Sequence, residues 1–233
     1  MLLTIDTSSS LSGLCLAQGK HVIDTFTWQC ERNHAVELLP NIANLLEKNH
    51  ISVASLSGII VARGPGSFNG LRVGLGCAKG LAFSLSLPIV GVSTLEASAF
   101  QFSQQRHPIC AMFPAGQNSF SCALYQHQNK WTCLAAESIV PLGDIQKLVT
   151  CPTVIGGDIT QETQAHFKAI LGENALFLMP TLSRIASLST LGENLLSCDQ
   201  KDDVATLQPL YLRSPHITKA KTPETITPAI KQS

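Results

Sequence analysis

Hydrophobic positions recur with a period of two through the opening segment and with steps of three and four soon after it. Residues 2–5 are apolar and strand-like, followed by the polar turn Asp6-Thr7-Ser8-Ser9-Ser10. Residues 11–17 alternate apolar with small or polar side chains. Gln18-Gly19-Lys20 then turns the chain into residues 21–28, where Val22, Phe26 and Trp28 fall on one face of a strand. Residues 33–48 change period. Ala35, Leu38, Leu39, Ile42, Leu45 and Leu46 draw one apolar stripe on a helix, and Pro40 interrupts it by removing a backbone donor. A short buried strand at 58–62, a helix at 70–84 and a strand at 89–92 complete the first half.

The second half repeats this order of elements. Strands are predicted at 109–113, 120–126 and 131–137, then a short helix at 142–149, a strand at 153–155, a helix at 161–171, a strand at 176–178 and a helix at 182–196. Two copies of strand–strand–strand–helix–strand–helix predict two α/β lobes, each a mixed sheet covered by helices. The polar stretch 101–108 marks their junction. The expected division is a first lobe over 1–104 and a second over 105–213, with the last helix a candidate to pack back on the first lobe. An extended or disordered tail is expected over 214–233, which carries three prolines and few apolar residues.

Composition narrows the function classes. Apolar residues make up 45% of the 233 and charged residues 14%, enough for a substantial core. Sixteen basic residues balance sixteen acidic ones, without the basic surplus of a protein that grips a nucleic-acid backbone by itself. The eight cysteines form no CxxC pair, and the seven histidines form neither His-x-x-x-His nor His-Glu-x-x-His. Reduced core cysteines in the cytoplasm are the expectation. No apolar run is long enough to span a bilayer, and no nucleophile elbow or catalytic triad is visible.

Gly64-Pro65-Gly66-Ser67-Phe68-Asn69-Gly70-Leu71-Arg72 joins a strand to a helix, where backbone N–H groups can converge on an anion. It lacks the Gly-Lys-Ser/Thr of a Walker loop, and Asn69 stands where a dinucleotide loop has its third glycine. A tight turn capped by Ser67 or Asn69 is the favoured reading of these residues. The helix beyond carries Gly70, Gly74, Gly76 and Gly80. Each interior glycine costs about 0.5–1 kcal/mol relative to alanine, so close approach of neighbouring elements is expected, either from this chain or from a partner. Asp6, at a strand end, and Gly156-Gly157-Asp158, at another, are candidates for nucleotide binding. Both also read as ordinary polar turns.

Taken in order, LLTIDTSSS at the start, Asn33-His34-Ala35-Val36-Glu37-Leu38-Leu39-Pro40, the loop 64–72 with Ala78-Lys79-Gly80-Leu81-Ala82, Val92-Ser93-Thr94-Leu95-Glu96, and Pro209-Leu210-Tyr211-Leu212-Arg213 resemble the TsaB (YeaZ) family. The resemblance implies an actin/hexokinase-like (ASKHA) two-lobe fold. It implies a non-catalytic subunit in synthesis of tRNA threonylcarbamoyladenosine, paired with a TsaD-like catalytic paralogue and acting with a TsaE-like ATPase. ATP and metal would then sit on those partners, tRNA would be reached only through the complex, and this chain would hold no cofactor of its own. Partner-binding residues expected on the two lobe-one helices are His34, Glu37, Leu38, Ile42, Leu71, Arg72, Gly74, Leu75 and Ala78. Two departures stand out: Asn69 replaces the family's threonine, and Pro114-Ala115-Gly116 replaces its frequent Asp-Ala-Arg. The alternatives are an ATP-dependent kinase or transferase of the same fold, with Asp6 and Asp158 as its only evident metal ligands, and a homodimeric scaffold.

Overall fold

The structure is a computed structural model that describes residues 1–30, 33–116 and 118–212. The expectations for Arg213 and the tail 214–233 therefore lie outside the described residues. Lobe one is a five-stranded sheet in the order β3-β2-β1-β4-β5, formed by β1 (Leu2–Asp6), β2 (Leu11–Gln18), β3 (His21–Gln29), β4 (Gly58–Gly64) and β5 (Ile89–Ser93). Its first three strands are antiparallel, and β1, β4 and β5 run parallel. Lobe two repeats the plan with β6 (Ile109–Pro114), β7 (Ser119–His127), β8 (Trp131–Pro141), β9 (Thr153–Gly157) and β10 (Ala175–Leu176), ordered β10-β9-β6-β7-β8. The duplicated order expected from the sequence is the observed topology.

Helices α1 (His34–Lys48) and α2 (Phe68–Leu85) cover one face of the first sheet. Leu38, Ile42, Leu45, Leu75 and Ala78 meet Leu3, Ile5, Leu14 and Leu16 there, and all are buried. Each leucine or isoleucine among them contributes about 1.5–3 kcal/mol on leaving water. Helices α4 (Ile145–Leu148) and α5 (Gln161–Leu171) cover the outer face of the second sheet, with Phe167 fully buried beneath them. The inner faces are covered by α3 (Thr94–Phe100) on lobe two and α6 (Arg184–Ser197) on lobe one, and α3 and α6 pack on each other along the seam.

Three features depart from the sequence expectation. Helix α3 was not predicted. It is seven residues long and built largely from small side chains (Ala97, Ser98, Ala99), because both of its sides are covered and no amphipathic stripe is needed. Strand β3 does not present Val22 with Phe26 and Trp28. A bulge opposite Leu16 and Ala17 flips the alternation, so Trp28 packs on the α1/α2 side while Val22 packs under α6. Finally, lobe two does not extend to residue 213, and the last helix packs back on lobe one, the candidate role that the sequence leaves open for it. From Arg184 the chain returns to lobe one, first as α6, whose Gly192 lies so close to the sheet that a Cβ there would stand 2.3 Å from Ile60 Cγ2. Residues 198–210 then strap across the lobe. Asp202 accepts from the Gly91 amide (2.8 Å), Lys79 donates to the Ala205 and Leu207 carbonyls, and the Leu210 amide donates to Arg63 O (2.7 Å). Among the described residues no helix is long and apolar enough to cross a membrane.

Candidate functional site

Parallel strands end together, so the carboxyl ends of β1 and β4 face those of β6 and β9 across the seam, where ligands bind in open α/β sheets. Asp6 stands there at the end of β1. One carboxylate oxygen accepts from the Ser8 amide at 2.9 Å and from the Ser8 hydroxyl. The other accepts from Arg184 Nε at 2.7 Å. Arg184 Nη2 donates to Ser9 Oγ (2.7 Å) and to Leu11 O (3.1 Å), and its guanidinium lies 5.6 Å from the Phe113 ring centre on lobe two. A cavity of about 290 Å³ opens beside this pair, lined among others by Asp6, Gly157, Asp158, Ser98 and Arg184.

The structure thus brings Asp6, Gly157 and Asp158 to one cavity, as the nucleotide reading required. It separates Gly156 from them. The space left by that missing Cβ is filled by Phe102, whose Cε2 would stand 2.5 Å from it. Gly157 is needed for its backbone, at φ +119° and pressed on Met112 O. Arg184 occupies the Asp6 oxygen that a metal would need, and among the described residues no three His, Cys, Asp or Glu side chains gather around a metal position. The residues present do not fit a metal–nucleotide complex. Arg184 itself went unpredicted; the one sequence signal was that it is the only charge between Leu176 and Gly192, and a charge that becomes buried must be paired.

The glycine loop serves the same turn of β1. Cβ atoms at Gly66, Gly70 and Gly74 would stand 2.2 Å from Ser8 O, 2.0 Å from Thr7 O and 2.2 Å from Thr7 Oγ1. Thr7 Oγ1 donates to Gly70 O (2.7 Å), the Ser67 amide donates to Ser8 O (2.7 Å), and Ser67 caps α2 by accepting from the Gly70 amide. Spaced four apart, these glycines admit this chain's own backbone. The tight-turn reading of 64–72 is correct.

That packing corrects the expected partner-binding set. Leu38, Ile42, Leu71, Leu75 and Ala78 are buried in the lobe's own core, and Gly74 faces inward onto Thr7. His34 is buried too, with Nδ1 3.2 Å from Ser12 Oγ. Of the apolar stripe read from periodicity, Leu38, Ile42, Leu45 and Leu46 hold the lobe together, while Ala35 and Leu39 face outward. Of the nine residues only Glu37, half-buried and accepting from Trp28 Nε1 at 3.0 Å, and Arg72, whose guanidinium lies 5.3 Å from the Phe68 ring centre, reach the surface. The outward faces of the same helices carry what was not named: Val36 (74% exposed), Leu39 (56%) and Phe83 (79%), with nothing within 4 Å of a Cβ at Gly76 or Gly80.

Two sheets of identical strand order, hinged on a helix pair with a cleft at their carboxyl ends, define an actin/hexokinase-like two-lobe protein. Of solved structures, EutJ from Carboxydothermus hydrogenoformans superposes with a TM-score of 0.50 at 11% identity, over 82% of this chain and 89% of that one. YeaZ from Pseudomonas aeruginosa superposes with a TM-score of 0.77 at 22% identity, over 91% and 99% of the two chains. Residues 28–206 match the family described as TsaD, tRNA N6-adenosine threonylcarbamoyltransferase. The chain belongs to that family, and within it to the TsaB (YeaZ) type. It is 37% identical over 128 residues to the tRNA threonylcarbamoyladenosine biosynthesis protein TsaB of Bacillus subtilis, covering 55% of this chain and 56% of the relative. It is 28% identical over 195 residues to the TsaB of Buchnera aphidicola subsp. Schizaphis graminum, covering 78% and 92%.

Proposed function

We propose that this chain is the accessory subunit of a tRNA threonylcarbamoyladenosine synthesis complex in the cytoplasm. It binds a TsaD-like catalytic paralogue through the outward faces of α1 and α2 and performs no chemistry itself. One observation carries the reading: Val36, Leu39 and Phe83 stand exposed on two adjacent helices, beside two glycines open enough to admit a foreign helix. The engagement of Asp6 by Arg184 supports the absence of chemistry, since the strand-end carboxylate is already neutralised. ATP and metal then belong to the TsaD-like and TsaE-like partners, and tRNA is met through the assembly.

Calorimetric titration of this chain against the TsaD-like paralogue of its own organism is expected to give stoichiometric binding. Phe83→Asp and Val36→Asp are each expected to weaken it by about 2 kcal/mol or more, roughly thirtyfold, as for buried hydrophobic anchors. No binding by the folded chain would sink the proposal. ATP turnover by the isolated chain, lost in Asp6→Ala, would establish the kinase alternative instead.

A further inference from the structure

A second cavity of about 290 Å³ lies on the other side of the interlobe seam, lined by Arg63, Gly91, Ser93, Glu96, Tyr125, Cys133, Glu137 and others. Its walls come from both lobes, and in both the strand is irregular where it meets the cavity. Arg63 sits in the bulge between Ala62 and Gly64 on β4, its stem lying over the bare Cα of Gly91. Strand β8 carries two register shifts, and Cys133, Ala136 and Glu137 flank them. Bulges re-aim side chains out of the regular pleat and are over-represented beside functional sites. Here they turn a cation from one lobe and an anion from the other into one space.

The charges in that space are not paired off. Arg63 forms no ion pair among the described residues, and its buried Nε has no hydrogen-bond partner. A buried guanidinium nitrogen without a protein acceptor is a donor free to receive an anion. Glu96 is fixed in direction, since its Oε1 accepts from Trp131 Nε1 at 3.1 Å and Trp131 stacks on Tyr125 with centroids 5.4 Å apart. Burial, with the nearby charge of Glu137 adding to it, holds the Glu96 carboxyl above the usual carboxylate range, although the Trp131 bond and the charge of Arg63 act the other way, so the three charged groups feel one another across the same space. The cavity therefore has an acidic pole of two carboxylates and a basic pole of one guanidinium, and it has room for a molecule of few heavy atoms.

We propose that this cavity binds a small zwitterionic α-amino acid, its ammonium held between the Glu96 and Glu137 carboxylates and its carboxylate received by the Arg63 guanidinium. Nothing in this depends on the paired complex, because both poles are supplied by the one chain. Free amino acids with small side chains, each titrated into the full chain beside its amide and its N-acetyl derivative, test the proposal. The free forms are expected to bind saturably, and each blocked form to bind about tenfold or more weakly. Glu137→Gln and Arg63→Met are expected to show a loss of the same size, with folding checked by circular dichroism, and Arg63→Lys to recover part of it. Absence of saturable heat with every free amino acid would overturn the assignment. So would equal binding of amides and simple amines, which would show that Arg63 receives nothing.

Discussion

Replacing Arg184 by methionine is expected to cost about 3–5 kcal/mol of unfolding free energy, because it leaves the Asp6 carboxylate buried without its partner. Asp6 is 3% exposed in its side chain and Arg184 16%, so water cannot replace the lost guanidinium. The same change removes the bonds to Ser9 and Leu11 and the stacking on Phe113, the points where one side chain ties the β1 turn, the start of α6 and the second lobe together. Urea unfolding of the single variant and of Asp6→Asn/Arg184→Met separates the causes. The double variant should recover much of the loss, since it removes the orphaned charge as well as the pair. A loss below about 1 kcal/mol in Arg184→Met would mean that the pair is worth no more than a surface salt bridge.

The glycines of α2 provide the second large effect, and they divide by face. Gly74→Leu is expected to cost about 3 kcal/mol or more, because even its Cβ would stand 2.2 Å from Thr7 Oγ1, with Ile5 next behind. Its consequence for partner binding would then be a consequence of misfolding. Gly80→Leu has open space around it and should leave the lobe folded, even slightly stabilised by helix propensity, while obstructing any helix that docks on the outer face. Thermal unfolding and titration against the TsaD-like subunit, done on both variants, distinguish the two. A stable, non-binding Gly80→Leu beside an unstable Gly74→Leu is the expected pattern. A stable Gly74→Leu would mean that the β1 turn yields, and a fully binding Gly80→Leu would move the interface elsewhere.

Much of the architecture was legible because local pattern and tertiary role agree in it. The three-strand openings of both lobes, α5 over Gln161–Leu171 and the capping of α2 by Ser67 follow from alternation, helical spacing and N-cap chemistry. What escaped was set by contacts distant in sequence. The bulge that parts Val22 from Trp28 depends on strand pairing, and α3 shows no stripe because it is sandwiched. Arg184 meets Asp6 across 178 residues of chain. The burial of the residues expected to meet a partner has a related reason. Periodicity reports the side of a helix that must avoid water, and in α1 and α2 the lobe's own sheet takes that side. The exposed Val36 and Phe83 fall outside the stripe and Leu39 lies at its edge, so only the folded lobe reveals them as a surface.

The return of the chain to lobe one also sets an order of assembly during synthesis. The second lobe is contiguous from Ile109 to Leu176, and it can close as soon as that stretch has left the ribosome. The first lobe can seat α1 and α2 early. The opposite face of its sheet, with Cys15, Ala17, Ile60, Ala62, Val90 and Val92, waits for Ile185, Leu188 and Leu191 of α6, and for the strap through Asp202 and Leu207. The half translated first is therefore the half completed last. Throughout that interval an unshielded apolar sheet face is what a chaperone, or a second nascent copy, would encounter.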